Sequence, residues 1–189
     1  MSYRGKVIIL GSPAVGKTSL LARFVDDQFS DEYDQTIGAN FLIKEMNLKP
    51  LLKESNDFNI DKELKEEIIE KGFRLYFWDL GGQSDKLFVT EYYFLQALGA
   101  MVVFDLSDKE SFEELDFWIS KMRELSGDIP FIIVGNKLDL KDQREVSKSE
   151  IQEVTEKYGV KSFESSAKDN KHVDEAFKWL SMEILGNIE

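Results

Sequence analysis

Short apolar runs alternate with amphipathic stretches along this chain, and the alternation predicts its secondary structure. Residues 7–10 form a continuous apolar run, typical of a strand that is buried on both faces. Similar runs predict strands at 6–10, 75–78, 100–106, 130–134 and 161–163. Helical spacing between these runs predicts helices at 17–26, 90–96, 111–125, 148–158 and 173–185. We therefore predict an α/β fold with a mostly parallel central sheet, helices on both faces, and one antiparallel edge strand at 41–48 that pairs with the strand at Leu75.

Residues 49–72 depart from this alternation and read as an insertion between the second and third strands. Within it, residues 61–71 have the pattern of a capped, charged helix, with Ile60, Leu64, Ile68 and Ile69 on one side. An elongated hairpin or solvated helix and a partner-specific surface both remain open interpretations. The chain has 189 residues, a length that fits one domain over residues 1–189.

Charge and composition narrow the classes of function. The formal charge is −12 without a Lys/Arg-rich run, which argues against nucleic acid or an anionic membrane as the main partner. The absence of cysteine excludes disulfides, thiolate metal sites and prenylation, and Ser2 stands where myristoylation needs glycine. Residues 1–5 lack the apolar core of a signal peptide, and no apolar run approaches membrane-spanning length. We expect a cytoplasmic protein without an encoded lipid anchor, which reaches membranes through partners if at all.

Residues 11–19, Gly-Ser-Pro-Ala-Val-Gly-Lys-Thr-Ser, follow the first predicted strand and open the first predicted helix. In a phosphate-binding loop of this pattern, glycines let main-chain N–H groups turn inward around phosphates, while Lys17 neutralises them. Thr18 would place its hydroxyl on Mg²⁺, and the helix dipole favours the same anion. The loop alone does not separate ATPases, kinases and GTPases.

Two further motifs add chemistry at predicted strand ends. Asp79 closes the strand at 75–78, where its carboxylate can hold Mg²⁺ through water, and Gly82 and Gln83 follow. Gly82 can bring an N–H to a γ-phosphate, and Gln83 can swing toward an attacking water. Asp139, in Asn-Lys-Leu-Asp at 136–139, can accept hydrogen bonds from the N1–H and exocyclic amine of guanine. Adenine lacks that donor pair, so the motif selects guanine.

With these motifs in order, the chain resembles a small GTPase of the Ras superfamily. The resemblance implies a P-loop GTPase fold and a guanine-nucleotide switch that binds GTP or GDP with Mg²⁺ and hydrolyses GTP slowly. It implies metal ligation by Thr18, Thr36 and Asp79, and catalytic roles for Gln83, Lys17 and Thr36. The nucleotide-binding residues are then Ser12, Pro13, Ala14, Val15, Gly16, Lys17, Thr18, Ser19, Phe29, Tyr33, Thr36, Gly82, Asn136, Lys137, Asp139, Ser166, Ala167 and Lys168.

The resemblance also assigns individual roles around the base. Ala167 would offer its backbone N–H to the guanine oxygen, and Lys137 and Phe29 would flank base and ribose. Residues 33–41 and 83–93 would bind effectors, exchange factors and GTPase-activating proteins, with a monomer as the expected state. Arg23 and Arg144 lie at positions that the resemblance does not associate with transition-state contacts.

The chain is most similar to the Rab branch, through segments such as 37–41 and 102–105, whereas Trp78–Gln83 is closer to the Arf branch. Pro13 departs from the family pattern, which often has Gly or a small polar residue there. Either it removes an N–H donor beside the γ-phosphate and alters hydrolysis, or that N–H is not needed and Pro13 merely stiffens the turn. One alternative is therefore a nucleotide-loaded interaction module without hydrolysis. An ATP-using P-loop enzyme is a second alternative, which Asp139 disfavours.

Overall fold

The computed structural model describes residues 3–27, 29, 39–46, 61–81 and 92–188, with only the backbone described at residue 3 and residues 39–46. The strands are β1 Tyr3–Leu10, β2 Ala39–Met46, β3 Phe73–Leu80, β4 Ala97–Asp105, β5 Phe131–Asn136 and β6 Ser162–Glu164. The helices with defined bounds are α1 Lys17–Asp26, α2 Lys62–Lys71, α3 Lys109–Glu113, α4 Leu115–Ser126, α5 Lys148–Tyr158 and α6 Val173–Gly186. Residues 92–94 are also helical, and Lys141–Gln143 form a 3₁₀ turn.

The strands form one sheet in the order β2-β3-β1-β4-β5-β6. Five strands run parallel, from β3 through β6, and β2 pairs antiparallel with β3 in a register that sets Ala39 against Leu80. The order reverses at β1, because β2 and β3 lie on one side of it while β4, β5 and β6 lie on the other. In sheets of this kind a crevice opens at the carboxyl end of the strands where the order reverses. The α/β fold of a P-loop GTPase is thus confirmed.

Two apolar clusters sandwich the sheet because successive side chains of a strand face opposite sides. Val7 and Ile9 face the cluster that contains α1 and α6, whereas Ile8 and Leu10 face the cluster around Trp118 of α4. In the first cluster the rings of Phe24 and Phe177 stack with their centroids 4.0 Å apart. This packing fixes α1 and α6 against each other and so positions the loop that precedes α1.

The predicted charged helix at 61–71 is confirmed as α2. Asp61 caps it by accepting hydrogen bonds from the N–H groups of Glu63 and Leu64, at 2.9 and 3.1 Å. Ile68 is buried in the α1 and α6 cluster, and Leu64 and Ile69 pack partly against it. The apolar side of α2 therefore belongs to the core, while residues 49–60 lie outside the described residues.

The predicted helix at 111–125 is wrong in its bounds, since the structure has two helices there. Asp108 caps α3 by accepting from the N–H groups of Glu110 and Ser111, so helical structure begins earlier than predicted. Glu114, a turn residue with φ −76° and ψ −4°, separates α3 from α4. Within the described ranges, no helix is both long enough and apolar enough to cross a bilayer.

Candidate guanine-nucleotide site

The phosphate loop joins β1 to α1, and two of its positions require glycine. Gly11 has φ +139°, and a Cβ there would lie 2.0 Å from the carbonyl oxygen of Val103. Gly16 has φ +93°, and a Cβ there would lie 2.3 Å from Nδ2 of Asn136. Gly16 is also the N-cap of α1 and brings no capping side chain. The N–H groups of the first turn, including that of Ser19, therefore point into the loop, as they do in anion-binding sites at helix N-termini.

Lys17 turns its ammonium group back into this loop. Its Nζ donates to the carbonyl oxygens of Gly11 and Ser12, each at 2.8 Å, and the side chain is buried. Burial lowers the pKa of Lys17 to about 8, against an opposing effect of the Asp79 carboxylate. The negatively charged oxygens of a bound phosphate would stabilise the positive charge of this buried ammonium group.

Asp79 and Thr18 meet beside Lys17, although they come from β3 and α1. The Thr18 hydroxyl donates to Oδ2 of Asp79, whose side chain is fully buried. Burial raises the pKa of Asp79, while the Thr18 hydrogen bond and Lys17 oppose that shift. The described residues give Oδ1 of Asp79 no hydrogen-bond partner. A buried carboxylate oxygen without a partner beside a hydroxyl fits a Mg²⁺ site, because Mg²⁺ prefers oxygen ligands.

Asn136 joins the phosphate loop to residues 166–168, which are predicted to bind the base and are called the base segment below. Its Nδ2 donates to the carbonyl oxygen of Val15 at 2.9 Å, and its Oδ1 accepts from the N–H of Ala167 at 3.2 Å. Asn136 is buried at the carboxyl end of β5. If the Ala167 N–H also donated to the oxygen of a bound guanine, that N–H would be shared between the base and Asn136.

Lys137 and Asp139 are each held by a partner from another segment. Lys137 has φ +64° and its Nζ lies 2.6 Å from Oδ2 of Asp105, a buried carboxylate at the end of β4. Oδ1 of Asp139 accepts from the hydroxyl of Ser166 at 2.5 Å. Both side chains therefore have fixed directions before any base is present. Sequence reasoning did not identify Asp105, although its place at a strand end beside the motif was a usable signal.

Phe29, Ala167 and Lys168 also converge at this end. Nζ of Lys168 lies 6.0 Å from the centroid of the Phe29 ring, and Ala167 is buried beside them. These residues come from the segment after α1 and the loop after β6. The fold therefore brings together three of the residues predicted to bind the nucleotide.

Ser12 has a partner that the sequence did not reveal. Its hydroxyl donates to the carboxylate of Glu114 and accepts from Nε1 of Trp118 at 3.4 Å. Because Glu114 sits at the break between α3 and α4, that break presents its side chain to the phosphate loop. Pro13 and Ala14 are exposed, and Val15 is buried.

Several predicted residues fall outside the described part of the chain, namely Tyr33, Thr36, Gly82 and Gln83. The same is true of most of the predicted partner surfaces at 33–41 and 83–93. Tyr92, at the end of the second surface, is exposed, and Tyr93 packs against Trp78 with ring centroids 5.4 Å apart.

Comparison with known proteins agrees with this arrangement. A model of the Ras family matches residues 6–186. Ras-related protein Rab-2B of Dictyostelium discoideum is 37% identical over 185 residues, covering 97% of this chain and 82% of that protein. Rab-8B of Homo sapiens is 34% identical over 184 residues, covering 97% and 79%, and Rab-13 of Mesocricetus auratus is 33% identical over 181 residues, covering 95% and 79%. The chain therefore belongs to the Ras family and is a Rab-like small GTPase.

Proposed function

We propose that this chain is a switch that binds GTP with Mg²⁺, hydrolyses it slowly to GDP and phosphate, and changes its partner surfaces between the two states. The observation that carries the proposal is the double contact of Asn136. By binding both Val15 and Ala167, it makes the phosphate loop and the base segment parts of one site. A ligand that fills this site has phosphates at one end and a base at the other.

The base end supports guanine. The Ser166 hydroxyl holds Asp139, whose carboxylate offers two acceptor oxygens. Guanine presents two donors to such a group through N1–H and its exocyclic amine. Adenine presents an acceptor at N1, which would leave a carboxylate oxygen unpaired, and such mismatches discriminate strongly.

The phosphate end supports metal-assisted hydrolysis. Thr18 and Asp79 would hold Mg²⁺ together with Thr36, and the ion would supply charge neutralisation on the phosphates. Lys17 binds the β- and γ-phosphate oxygens and stabilises charge that develops on them as water attacks the γ-phosphorus. Gln83 orients that water. Because positioning and charge stabilisation dominate phosphoryl transfer, a chain that supplies no arginine turns over slowly, and a partner arginine would raise the rate by about 10³- to 10⁵-fold.

The switch follows from where the γ-phosphate contacts lie in the sequence. Thr36 lies within residues 33–41, and Gly82 directly precedes residues 83–93. Contacts of the γ-phosphate with Thr36 and Gly82 would therefore order both segments, and loss of the γ-phosphate would release them. Effectors, exchange factors and GTPase-activating proteins would bind there, to a monomer.

Single-turnover hydrolysis tests the catalytic part of the proposal. Protein loaded with GTP and Mg²⁺ should release phosphate slowly, and Gln83→Leu should slow that release further. Gln143→Leu is the control, because Gln143 lies in an exposed 3₁₀ turn away from the phosphate loop. Equal rates for Gln83→Leu and the parent would overturn the role of Gln83. GTP that stays intact for many hours in the parent would show a binding module in place of an enzyme.

A further inference from the structure

Arg23 lies on α1, the helix that begins at Lys17, and its side chain is only 15% exposed. The phosphate contacts do not use it, yet its guanidinium group reaches the base segment. We propose that Arg23 is a positioning residue that ties α1 to the guanine-binding loop and thereby slows nucleotide release and sharpens base selection. The inference rests on the proposed function, which assigns residues 136–139 and 166–168 to guanine.

The first contacts of Arg23 are with two successive carbonyl oxygens. Nε donates to Ala167 O at 2.9 Å and Nη2 donates to Lys168 O at 3.1 Å. The planar guanidinium fork thus fixes two adjacent peptide planes at once. Asn136 holds the N–H of Ala167 from the other side, so the backbone at Ala167 is restrained at both its donor and its acceptor.

The second set of contacts anchors the fork to the end of its own helix. Nη1 donates to the carbonyl oxygen of Asp27 at 2.9 Å and to its Oδ1 at 3.1 Å. Asp27 caps α1 in a left-handed conformation with φ +53°, and its Oδ1 also accepts from Nδ2 of Asn170 at 3.1 Å. Arg23 and Asn170 therefore close a ring of contacts between the end of α1 and residues 167–170.

A third contact places Arg23 against the residue predicted to flank the base. Its Cζ lies 5.9 Å from the centroid of the Phe29 ring, to which Lys168 also approaches. Arg23 thus touches Phe29, Ala167 and Lys168, each assigned to base or ribose. Because α1 also carries Lys17 and Thr18, one rigid helix connects the phosphate end of the site to the base end.

Loss of Arg23 would free the loop that holds both Ala167 and Ser166. Ser166 orients Asp139, so movement of this loop also misaligns the carboxylate that recognises the exocyclic amine. Two consequences follow. GDP leaves faster, and the preference for GDP over IDP, which lacks that amine, decreases.

The test compares Arg23→Ala and Arg23→Lys with Arg123→Ala in the full chain. Arg123 is a matched control, since its guanidinium stacks over Phe131 and Tyr158 away from the phosphate loop and the base segment. Displacement of a fluorescent GDP analogue with Mg²⁺ present gives the release rate, and competition by GDP and IDP gives base selection. Arg23→Ala should release GDP about 10- to 100-fold faster, the range expected when hydrogen bonds from a charged group are lost. Its preference for GDP over IDP should fall in parallel.

Arg23→Lys should recover only part of both effects, because one ammonium group cannot bridge two carbonyls and Asp27 with the same geometry. Arg123→Ala should match the parent in both measurements. If Arg23→Ala unfolds, Arg23→Lys carries the test alone. Parental release and base preference in a folded Arg23 variant would overturn this inference while leaving the proposed function intact. A parent that retains neither GDP nor GTP would overturn the proposed function itself.

Discussion

Arg144 and Glu164 form a bidentate ion pair, with Nη1 and Nη2 donating to the two carboxylate oxygens at 3.0 and 2.6 Å. Arg144 follows the segment that contains Asp139, and Glu164 ends β6 just before Ser166 and Ala167. The pair therefore joins the two base-binding segments. Both side chains are partly buried, at 24% and 22% exposure, so solvent screens the pair only partly.

Glu164→Gln should lower the free energy of unfolding by about 1 to 2 kcal/mol at neutral pH, since a charge-assisted hydrogen-bond pair is weakened. The hydrogen bond and charge of Arg144, with Lys148 and His172 nearby, lower the pKa of Glu164 below its ordinary value of 4.5. Stability from a lowered carboxyl pKa is complete above the unfolded pKa and disappears as pH falls through the folded one. The difference between parent and variant should therefore shrink below about pH 4.5.

Urea denaturation at several pH values measures this difference. Asp116→Asn is the control, because Asp116 and Lys157 form a mostly exposed pair at 57% and 54% exposure. Its loss should cost less than about 1 kcal/mol. An equal cost for both variants would show that the Arg144–Glu164 pair adds no more than a surface pair.

Nucleotide binding should take up a proton at alkaline pH through Lys17. Burial lowers the pKa of Lys17 to about 8, so the group is about three-quarters deprotonated at pH 8.5. Phosphates favour its charged form and raise the pKa again. Titration calorimetry of the nucleotide-free protein with GDP, in buffers of different ionisation enthalpy, should show this uptake at pH 8.5 and far less at pH 7. Equal uptake at both values would contradict the assigned environment of Lys17.

Gly16→Ala should abolish tight GDP binding. The new Cβ would collide with Nδ2 of Asn136 and break its hydrogen bond to Val15. Gly159→Ala is a close control, since Gly159 is also left-handed, with φ +66°, but has nothing within 4 Å of its Cβ position. Both variants should lose about 1 to 2 kcal/mol from backbone strain, yet Gly159→Ala should keep its GDP affinity. Equilibrium GDP titration compares them, and parental affinity in Gly16→Ala would contradict the role of the Asn136 bridge.

Asp79→Asn should weaken the binding of Mg²⁺ and so make GDP release less dependent on Mg²⁺. In the parent, chelation of Mg²⁺ should speed GDP release, because Thr18 and Asp79 support the ion. In Asp79→Asn, Mg²⁺ should bind about 10- to 100-fold more weakly, so the chelator should change the release rate much less.

Asp105→Asn serves as the contrasting variant, since Asp105 is also a buried carboxylate but holds Lys137 at the base. Its GDP release should be faster than in the parent and still respond to chelation. Release rates with and without EDTA decide the matter, and an undiminished chelator response in Asp79→Asn would argue against its metal role.

Local sequence signals predicted most of the fold. The bounds of α1 and α5 match the predicted 17–26 and 148–158, and α5 starts with a capping box between Ser147 and Glu150 and ends at Gly159. The break at Glu114 could not be predicted from the sequence. Its side chain binds Ser12, and that contact exists only once α4 packs beside the phosphate loop.

The same distinction applies to the site. The phosphate loop and residues 136–139 are contiguous motifs, so the sequence alone predicts their chemistry. The bond of Arg23 to Ala167 joins residues 144 positions apart, and the bond of Lys137 to Asp105 joins neighbouring strand ends. Such contacts depend on the folded sheet and carry no local pattern. The roles of Thr36 and Gln83 stay predictions, because both residues lie outside the described part of the chain.

The nucleotide that the protein retains through purification shows most directly whether the site is built for guanine. The full chain would be purified with Mg²⁺ and denatured, and the released nucleotide would be separated by ion-pair chromatography and quantified against protein. We expect GDP or GTP in near-stoichiometric amount, with release accelerated when Mg²⁺ is removed first. An adenine nucleotide in that amount, or a protein that retains no nucleotide and binds none when GDP and Mg²⁺ are added, would contradict this expectation.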